Sequence, residues 1–454
     1  MRDWSAERVA EAAEARLARS PPDRGGPEAG PERVVIDSRE AGPGALFVAL
    51  PGANVDGGAF AADALLSGAW GALVAPQHAA ATLRAPGGVV LVAESPLAAL
   101  QRMARAWRRE LGAKVIGVTG SSGKTSTKDL LLAVLSPDRR TVATRSNRNT
   151  EIGLPLEILS APAGTEVLVL EMGMRGAGQI AELAAIAEPD VAVVVNVGAA
   201  HLELLGTVEA IAAAKAELIA ALPPGGTAIV PAGEPLLAPY LREDVRTVTF
   251  GPGGDVQLVA AAGERLEVDL DGTPVSLEVP FTQAHLRLNL LAAVAAARAV
   301  GVSARRRIEP TISSGRGERR GLPGGVTLID DCYNANPVSM RAALDDLAEG
   351  TEPGRRRVAV LGDMLELGPR AIEFHREIGV QADRLGVGLL VTVGPLAAAM
   401  APVFGREVHS VADAAEAAEL VLGIVREGDV VLVKGSRGVG LEAVCQALTA
   451  PVAA

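Results

Sequence analysis

A short glycine-rich turn places the strongest constraint on how this chain can fold. Residues 119–125 read Thr-Gly-Ser-Ser-Gly-Lys-Thr, between an apolar strand pattern at 114–118 and a helical pattern at 125–135. This arrangement predicts a phosphate-binding loop, because glycines let backbone N–H groups curve around phosphate oxygens and the helix N-terminus attracts negative charge. In such a loop Lys124 reaches the β- and γ-phosphates and the Thr125 hydroxyl holds Mg²⁺.

The glycine spacing of this turn departs from the common form of the loop. The usual spacing has a glycine at position 118, where this chain has Val118, and the glycines stand instead at Gly117, Gly120 and Gly123. The alternative interpretation is an ordinary glycine turn between a strand and a helix. The Lys-Thr pair and the strand–helix context favour nucleotide binding.

Composition excludes some classes of function. The chain has 454 residues, enough for two to four domains, and 49% of them are hydrophobic. Aromatic residues make up only 2%, which argues against nucleic-acid binding by base stacking. The net charge of −11 also disfavours non-specific binding to polyanions, so we expect no nucleic-acid partner.

Cysteine content and hydropathy suggest a cellular compartment. Two cysteines, Cys332 and Cys445, indicate a reducing environment without a disulfide framework. The charged N-terminus lacks the apolar core of a signal peptide, and no apolar run of 18 residues occurs. We expect a soluble cytoplasmic protein that does not insert into membranes, and we expect it to be a monomer.

The patterning of the first third predicts a small α/β unit and a linking helix. Short β patterns and Gly/Pro turns fill roughly the first 95 residues. The strand patterns lie at 33–37, 45–50 and 71–75, and helical patterns lie at 60–66 and 96–111. The last of these ends just before the strand that leads into the glycine-rich turn.

The rest of the chain predicts two further α/β units. Apolar runs at 167–170 and 191–195 suit a parallel sheet buried on both faces, and we expect a β-rich patch at 245–281 to form an antiparallel extension. After residue 313 the alternation restarts and predicts a second doubly wound unit. Its strand patterns lie at 326–329, 358–361, 389–393 and 430–433. The glycines at 435–440 lack the G-x-G-x-x-G spacing, so we expect no dinucleotide cofactor.

Two polar residues follow strand patterns of the central region. Glu171 ends the apolar run at 167–170, and ligands of open α/β sheets bind at the carboxyl ends of strands. A carboxylate there is a natural Mg²⁺ ligand, although a helix-capping or solvated glutamate is the alternative. His201 follows the next strand in the same way. A lone histidine is more often structural, but this position favours function.

Several other candidate functional residues also have a simple structural interpretation. Lys215 lies in an alanine-rich helical pattern at 208–222, where a surface lysine is the simplest interpretation. The turn at 330–337 suits ribose and adenine contacts, or simply caps the next helix. Arg316 is a candidate phosphate contact. Cys332 adjoins acidic residues, which disfavour a thiolate, so we reject it as a nucleophile.

Together these stretches resemble the Mur ligase family of bacterial cell-wall synthesis. The residues at 119–125 are similar to that family's ATP loop, whose glycine spacing explains the departure noted above. The resemblance covers nearly the whole chain through further stretches at 37–39 with 43–50, 330–337, 361–368 and 433–438. The last three are typical of the member that adds D-alanyl-D-alanine to a UDP-N-acetylmuramoyl-tripeptide.

The resemblance implies an α/β fold of three domains and a reaction. We expect a small N-terminal α/β domain at 1–95 that binds the UDP-sugar peptide, a central P-loop ATPase domain with a mostly parallel sheet at 96–312, and a C-terminal Rossmann-like domain at 313–454 that closes over the site. The implied reaction is ATP-dependent amide formation with UDP-MurNAc-tripeptide and D-Ala-D-Ala as substrates. The tripeptide carboxylate becomes an acyl phosphate, which the dipeptide amine attacks, and ADP and phosphate are released.

The resemblance also assigns residues. The implied catalytic residues are Lys124, Lys215, His201 and Glu171, and the implied Mg²⁺ ligands are Thr125, Glu171, His201 and Lys215, the last as a carbamate (N6-carboxylysine). The implied ATP contacts are Thr119, Gly120, Ser121, Ser122, Gly123, Lys124, Thr125, Ser126, His285, Asn289, Arg316, Asp331, Tyr333 and Asn336. The implied contacts to the sugar-peptide and dipeptide substrates are Ser38, Arg39, Asn147, Asn149, Lys434, Ser436 and Arg437.

Two alternatives remain open at this point. One is another amide ligase of the same kind, such as the enzyme that adds the third amino acid or a folylpolyglutamate synthetase. The D-N-P-x-R signature expected of the third-residue ligase is not visible, whereas the Asp-Cys-Tyr-Asn-Ala-Asn-Pro stretch at 331–337 is present. The other alternative is a regulatory NTP-binding protein that uses the loop as a switch and shows no acceptor-stimulated turnover.

Overall fold

The computed structural model describes residues 1–20 and 30–450 of the chain. Three β-sheets follow one another along these residues, and helices pack on each of them. Most neighbouring strands are parallel, as the alternation of strand and helix patterns predicts. The fold is therefore α/β with three sheet-bearing regions.

The N-terminal sheet has five strands, and its first strand is antiparallel to the rest. Its strands are β1 (Arg16–Arg19), β2 (Arg33–Val35), β3 (Ala45–Val48), β4 (Gly71–Val74) and β5 (Val89–Val92), in the spatial order β1-β5-β4-β3-β2. Its helices are α1 (Ala6–Ala13), α2 (Ala61–Leu66) and α3 (Pro76–Arg84). Strand β2 ends earlier than the sequence pattern predicts, because the Asp37 carboxylate accepts a hydrogen bond from the Arg39 backbone N–H and starts a helical turn.

A long helix, α4 (Pro96–Leu111), joins this unit to the central one, as predicted. It begins at the Ser95 cap, whose hydroxyl accepts a hydrogen bond from the Ala98 N–H, and ends at Gly112 with φ +61°. Its Trp107 ring packs edge to face on Trp4, with ring centroids 5.6 Å apart. One helix thus shares its apolar face with both units.

The central sheet has nine strands in the order β14-β13-β12-β11-β10-β9-β6-β8-β7. They are β6 (Lys114–Thr119), β7 (Thr141–Ala143), β8 (Val167–Glu171), β9 (Val191–Val194), β10 (Thr227–Pro231), β11 (Arg246–Phe250), β12 (Val256–Ala262), β13 (Arg265–Leu270) and β14 (Pro274–Glu278). Its helices are α5 (Lys124–Leu135), α6 (Gly153–Ser160), α7 (Gln179–Ala187), α8 (Leu202–Leu205), α9 (Val208–Ala220) and α10 (Ala284–Ala299). Strands β12 to β14 form the expected antiparallel extension, whereas β11 is parallel to its neighbours.

The C-terminal sheet has six strands in the order β15-β16-β20-β17-β18-β19. They are β15 (Glu318–Gly321), β16 (Thr327–Asp330), β17 (Arg357–Gly362), β18 (Leu389–Val393), β19 (Glu407–Val411) and β20 (Val430–Lys434). Its helices are α11 (Pro337–Glu349), α12 (Ala371–Arg384), α13 (Ala414–Ile424) and α14 (Glu442–Thr449). All its neighbouring strands are parallel except β15 and β16, which confirms a doubly wound unit.

Strand order in the central sheet determines where chemistry can occur. Strands β9, β6 and β8 are neighbours, so the loops that follow them meet at the carboxyl edge of the sheet. All the residues of β8 and β9 are buried, as their continuous apolar runs predict.

Along residues 1–20 and 30–450, no helix combines the length and apolarity needed to cross a bilayer.

Candidate active site

The loop between β6 and α5, residues 120–123, is called the glycine loop below. Gly123 has φ +75°, and a Cβ there would lie 2.8 Å from the Asn289 Oδ1 atom, so only glycine fits. Asn196, just after β9, accepts a hydrogen bond from the Ser122 N–H at 2.9 Å and donates one to the Ser122 hydroxyl at 3.0 Å. The Ser121 hydroxyl donates to the Gly198 carbonyl at 2.8 Å. The glycine loop is therefore held in shape by the neighbouring strand.

Lys124, the first residue of α5, folds back over this loop. Its ammonium donates a hydrogen bond to the Gly120 carbonyl at 2.8 Å. Burial lowers the pKa of Lys124, the Glu171 carboxylate opposes that shift, and the Arg316 guanidinium adds to it. A phosphate group beside Lys124 would relieve this unfavourable environment.

Glu171 occupies the centre of a buried polar network. Its Oε2 atom accepts a hydrogen bond from the Thr125 hydroxyl, and its Oε1 atom accepts one from the Asn149 amide, both at 2.8 Å. The Glu171 backbone N–H donates to the Thr144 hydroxyl at 2.9 Å. Glu171 is only 3% exposed, so the interpretation as a solvated glutamate is wrong. A buried carboxylate beside a threonine hydroxyl is an oxygen-donor set of the kind that Mg²⁺ prefers.

His201 lies after β9 in a strained conformation, with φ +59°. Its Nδ1 atom is hydrogen-bonded to the carboxylate of Glu366, which belongs to the C-terminal unit. Burial lowers the pKa of His201, Glu366 opposes that shift, and the nearby Lys124 and Lys215 ammonium groups lower it further. An uncharged imidazole is the form that binds metals.

Lys215 on α9 is 1% exposed, so the interpretation as a surface lysine is wrong. Within residues 1–20 and 30–450 its ammonium makes no hydrogen bond and no ion pair. Burial lowers the pKa of Lys215 far below its usual value, and the charge of Lys124 adds to this effect. Burial therefore favours the uncharged, nucleophilic form of this amine.

Two side chains from beyond residue 312 reach the glycine loop and the first turn of α5. The Arg316 guanidinium donates a hydrogen bond to the Thr125 hydroxyl at 3.1 Å. The Asn336 amide donates to the Ser121 carbonyl at 3.0 Å, while its own oxygen caps α11. Asn336 therefore caps a helix, as one interpretation of the turn at 330–337 predicts, and it also contacts the glycine loop. The ribose and adenine contacts of this turn stay a prediction.

The linker into the C-terminal unit is tied to α5. The Asp129 carboxylate accepts a hydrogen bond from the Ser313 N–H at 2.9 Å and pairs with the Lys128 ammonium at 2.6 Å. Lys128 and Asp129 are both 5% exposed. This buried pair fixes the linker just before Arg316.

Other predicted ATP contacts lie on α10 and on either side of the glycine loop. Asn289 on α10 is buried against Gly123. Burial lowers the pKa of His285, and Asp331 and Asp346 of the C-terminal unit oppose that shift, so His285 lies near that unit. The remaining predicted contacts in this strand–loop–helix unit, Thr119 and Ser126, are buried.

Tyr333 and Arg437 lie together at the edge of the C-terminal unit. The guanidinium carbons of Arg316 and Arg437 lie 4.1 Å and 5.1 Å from the Tyr333 ring centroid. The Arg437 side chain is otherwise exposed. This cation–π contact places a flat aromatic face and two positive groups near the phosphate-binding side.

Lys434 and Ser436, predicted to bind substrate, support the turn at 330–337. The Lys434 ammonium is buried and donates to Asp331 Oδ2 at 2.7 Å and to the Asn334 carbonyl at 3.0 Å. The Ser436 hydroxyl donates to the Ala335 carbonyl at 3.3 Å. Their contacts in the described chain support the turn, and the substrate role stays a prediction.

The remaining predicted substrate contacts are spread out. Asn149 contacts Glu171, as described above, whereas Asn147 is exposed. Ser38 and Arg39 form a turn of the N-terminal unit, and Arg39 pairs with Asp37, which lowers the pKa of that carboxyl to about 2. In the described parts of the chain, Ser38 and Arg39 make no hydrogen bond to the glycine loop.

Sequence reasoning missed Glu366 and Asn196. Glu366 lies in the stretch at 361–368 that carried the family resemblance, but no role was assigned to it. Asn196 ends a strand pattern beside the glycine loop, which is the same signal that identified Glu171 and His201. Asn196 could have been found from that signal, whereas the role of Glu366 depends on contact with a distant segment.

Comparison with known proteins identifies relatives over nearly the whole chain. Three family models match, the Mur ligase family catalytic domain at 32–108, the Mur ligase middle domain at 118–297 and the Mur ligase glutamate ligase domain at 315–437. The UDP-N-acetylmuramoyl-tripeptide–D-alanyl-D-alanine ligase of Mycobacterium tuberculosis is 39% identical over 92% of each chain, and that of Escherichia coli K12 is 32% identical over 92% of this chain and 93% of its own.

Solved structures give the same result. A crystal structure of MurF from Acinetobacter baumannii superposes with a TM-score of 0.88 at 30% identity over 98% of both chains. MurF ligase from Thermotoga maritima in complex with ADP gives 0.82 at 32% identity, covering 92% of this chain and 97% of that one.

Proposed function

The chain belongs to the Mur ligase family, and we infer that it is an ADP-forming ligase that joins D-alanyl-D-alanine to a UDP-N-acetylmuramoyl-tripeptide. The products are the UDP-MurNAc-pentapeptide, ADP and phosphate, in the synthesis of peptidoglycan precursors. The observation that carries this conclusion is the likeness to ligases of that name over 92% of the chain, at 39% identity. The structural support is that the Thr125 hydroxyl is hydrogen-bonded to both the Glu171 carboxylate and the Arg316 guanidinium.

The reaction requires two anions to approach each other. The tripeptide carboxylate attacks the γ-phosphate of ATP and forms an acyl phosphate, and the amine of the dipeptide then displaces phosphate from that carbonyl. Positive charge must be in place before the attack, because this type of catalysis is mainly positioning and electrostatic stabilisation. Lys124 and Arg316 converge on the glycine loop and provide that charge.

The residues fit a magnesium ion. Thr125, Glu171 and His201 would hold it, since the buried Glu171 carboxylate faces the Thr125 hydroxyl and burial lowers the pKa of His201, which favours the uncharged imidazole. When bound, Mg²⁺ neutralises charge on the phosphate oxygens. The Asn149 amide orients Glu171 from its other oxygen.

Lys215 fits the role of a carbamylated lysine. Its buried amine, with a strongly lowered pKa, can add to CO₂ and release a proton, which yields a carbamate. This change replaces an unpaired amine with an anion near Lys124, whose charge disfavours a cation at Lys215. The carbamate would hold a second Mg²⁺.

The nucleotide and the other substrates extend from this centre. We propose that Asn289 contacts the adenine and that Asp331 contacts the ribose through Oδ1, because Oδ2 pairs with Lys434. The exposed Asn147, Arg39 and Arg437 are proposed to contact the sugar-peptide and dipeptide. We also propose that the protein works as a monomer in the cytoplasm.

An acceptor-dependent assay tests this function. Purified protein is given Mg²⁺, ATP and UDP-MurNAc-tripeptide, with either diaminopimelate or lysine as the third residue, and phosphate release is measured with and without D-Ala-D-Ala. We expect release that depends on D-Ala-D-Ala and disappears in Lys124→Ala. Release that responds instead to a single amino acid, or to glutamate with a folate, would indicate a different amide ligase. Hydrolysis unchanged by all acceptors would indicate a regulatory switch.

A further inference from the structure

A second group of ligating side chains lies inside the C-terminal unit, apart from the glycine loop. Asp330 ends β16, Cys332 follows two residues later, and Cys445 lies on α14, yet one ligand atom from each lies within 4.8 Å of the others. Their exposed fractions are 6%, 3% and 5%. These are the chain's two cysteines, and the fold brings them together from distant parts of the sequence.

We propose that Asp330, Cys332 and Cys445 form a structural site for one thiophilic divalent cation of the zinc type. Zinc binds cysteine sulfur at about 2.3 Å and carboxylate oxygen at about 2.0–2.2 Å, so tetrahedral ligand atoms lie about 3.5 Å apart. The Cys332 Sγ atom lies 3.0 Å from Asp330 Oδ1. The remaining separations, all below 4.8 Å, need to change by only about 1 Å to reach that geometry.

The electrostatics of the cluster favour a cation. The Cys332 thiol donates a hydrogen bond to Asp330, and its deprotonation would place a negative charge beside that carboxylate and the Cys445 sulfur. A divalent cation turns each of these unfavourable contacts into a favourable one, since thiolates are its ligands.

One positive side chain completes the charge balance. The Arg320 guanidinium on β15 lies 3.7 Å from Asp330 Oδ2, the carboxylate oxygen that faces away from the Cys332 hydrogen bond. Two thiolates and a carboxylate would carry three negative charges, of which the cation neutralises two, and Arg320 offsets part of the third. Arg320 also pairs with Glu318, so its position does not depend on the cation.

The site differs from the Mg²⁺ site in its preferred metal. Thiolate ligands select thiophilic metals such as zinc, whereas hydroxyl and carboxylate oxygens suit magnesium. An ion here would join the end of β16 to α14, the last helix of the described chain. The role we assign to it is stability of the C-terminal unit, because it binds only the folded arrangement of its ligands.

Cobalt is the probe that separates this site from the oxygen-ligand site. Full-length protein is reduced, freed of reductant without oxygen, and shown to have two titratable thiols. It is then titrated with Co²⁺ in excess Mg²⁺ and ATP. We expect one equivalent of Co²⁺ with the near-ultraviolet sulfur-to-cobalt absorption of a two-thiolate site. Folded protein with two free thiols and no such absorption would overturn the proposal.

Variants assign the ligands. Cys445→Ser, which lies outside the nucleotide site, should remove the two-thiolate spectrum while circular dichroism and ligase activity remain. Cys332→Ser should also remove the two-thiolate spectrum. Asp330→Asn should weaken Co²⁺ binding at least tenfold. Zn²⁺ should raise the melting temperature of the wild type and not that of Cys445→Ser. An unaltered cobalt spectrum in either serine variant, or an equal Zn²⁺ effect on both proteins, would contradict a shared site.

Discussion

His201 and Glu366 meet across the boundary between the central and C-terminal units, and both have left-handed backbones. Their φ angles are +59° and +61°, a backbone conformation that residues other than glycine rarely adopt. Their side chains are hydrogen-bonded, and the Glu203 N–H donates to the Glu366 carbonyl at 3.1 Å. Strain of this kind persists only where the surroundings maintain it, and it is common at functional sites. We interpret the pair as the contact that aligns the two units over the glycine loop.

Removing that contact should slow ligation. Glu366→Gln keeps the size of the side chain but loses its charge, and a misplaced reacting group costs about ten- to a hundredfold in rate. We expect kcat to fall by that amount, with a smaller change in the KM for ATP, in the phosphate-release assay. Glu203→Gln is the matched control, because Glu203 is exposed on the same boundary. Equal rates for Glu366→Gln and the control would refute the alignment role.

Lys215 should react with carbon dioxide. In ¹³C-bicarbonate the wild type should show one carbamate carbon signal that is absent in Lys215→Ala, because the buried uncharged amine is the nucleophile. The Ala variant should lose nearly all activity and recover part of it with small carboxylates. The neighbouring Glu217→Ala should keep the signal. Wild-type activity in Lys215→Ala, or no change on adding carboxylates, would rule out the modified lysine.

The lowered pKa of Lys215 also predicts how stability depends on pH. Between the folded and unfolded pKa values the unfolded lysine binds more protons, so the free energy of unfolding rises with pH in that window. The window ends near the ordinary lysine value of about 10.4. Lys215→Met cannot be protonated. Its free energy of unfolding should therefore exceed that of the wild type by the largest amount at the acidic end of this pH window. Melting temperatures measured without CO₂ and metal test this, and a constant difference across pH would contradict it.

The buried pair on α5 gives a prediction about stability. Asp129→Ala leaves the Lys128 ammonium buried without its partner, which typically costs about 3–5 kcal/mol. The double variant with Lys128→Met should recover part of that loss, since the orphaned charge is gone. Melting temperatures of the single and double variants provide the comparison. If the double variant is less stable than Asp129→Ala alone, unpaired charge is not the cause.

Much of this account was available from the sequence, for physical reasons that differ between elements. Strands β8 and β9 were predicted because burial on both faces leaves continuous apolar runs. The sequence does not predict strand β1 or the edge strands β15 and β19. These strands are short and partly exposed, so they have no continuous apolar run. Helix α4 was predicted at its observed bounds because its proline and glycine mark both ends.

The residues of the candidate site also differ in whether the sequence can predict them. Lys124, Thr125 and Glu171 could be predicted because local sequence determines the glycine loop and the strand ends. The burial of Lys215 and the partnership of His201 with Glu366 could not, because they depend on packing between distant segments. The domain limits at 95 and 312 stay predictions.

Oxygen transfer tests the central claim most directly. UDP-MurNAc-tripeptide labelled with ¹⁸O in its terminal carboxylate is converted with ATP and D-Ala-D-Ala, and the liberated phosphate is analysed by mass spectrometry. Activation at the glycine loop predicts one labelled oxygen in each phosphate released, because the carboxylate oxygen that attacks the γ-phosphate leaves with it. Unlabelled phosphate formed alongside the pentapeptide would contradict the mechanism.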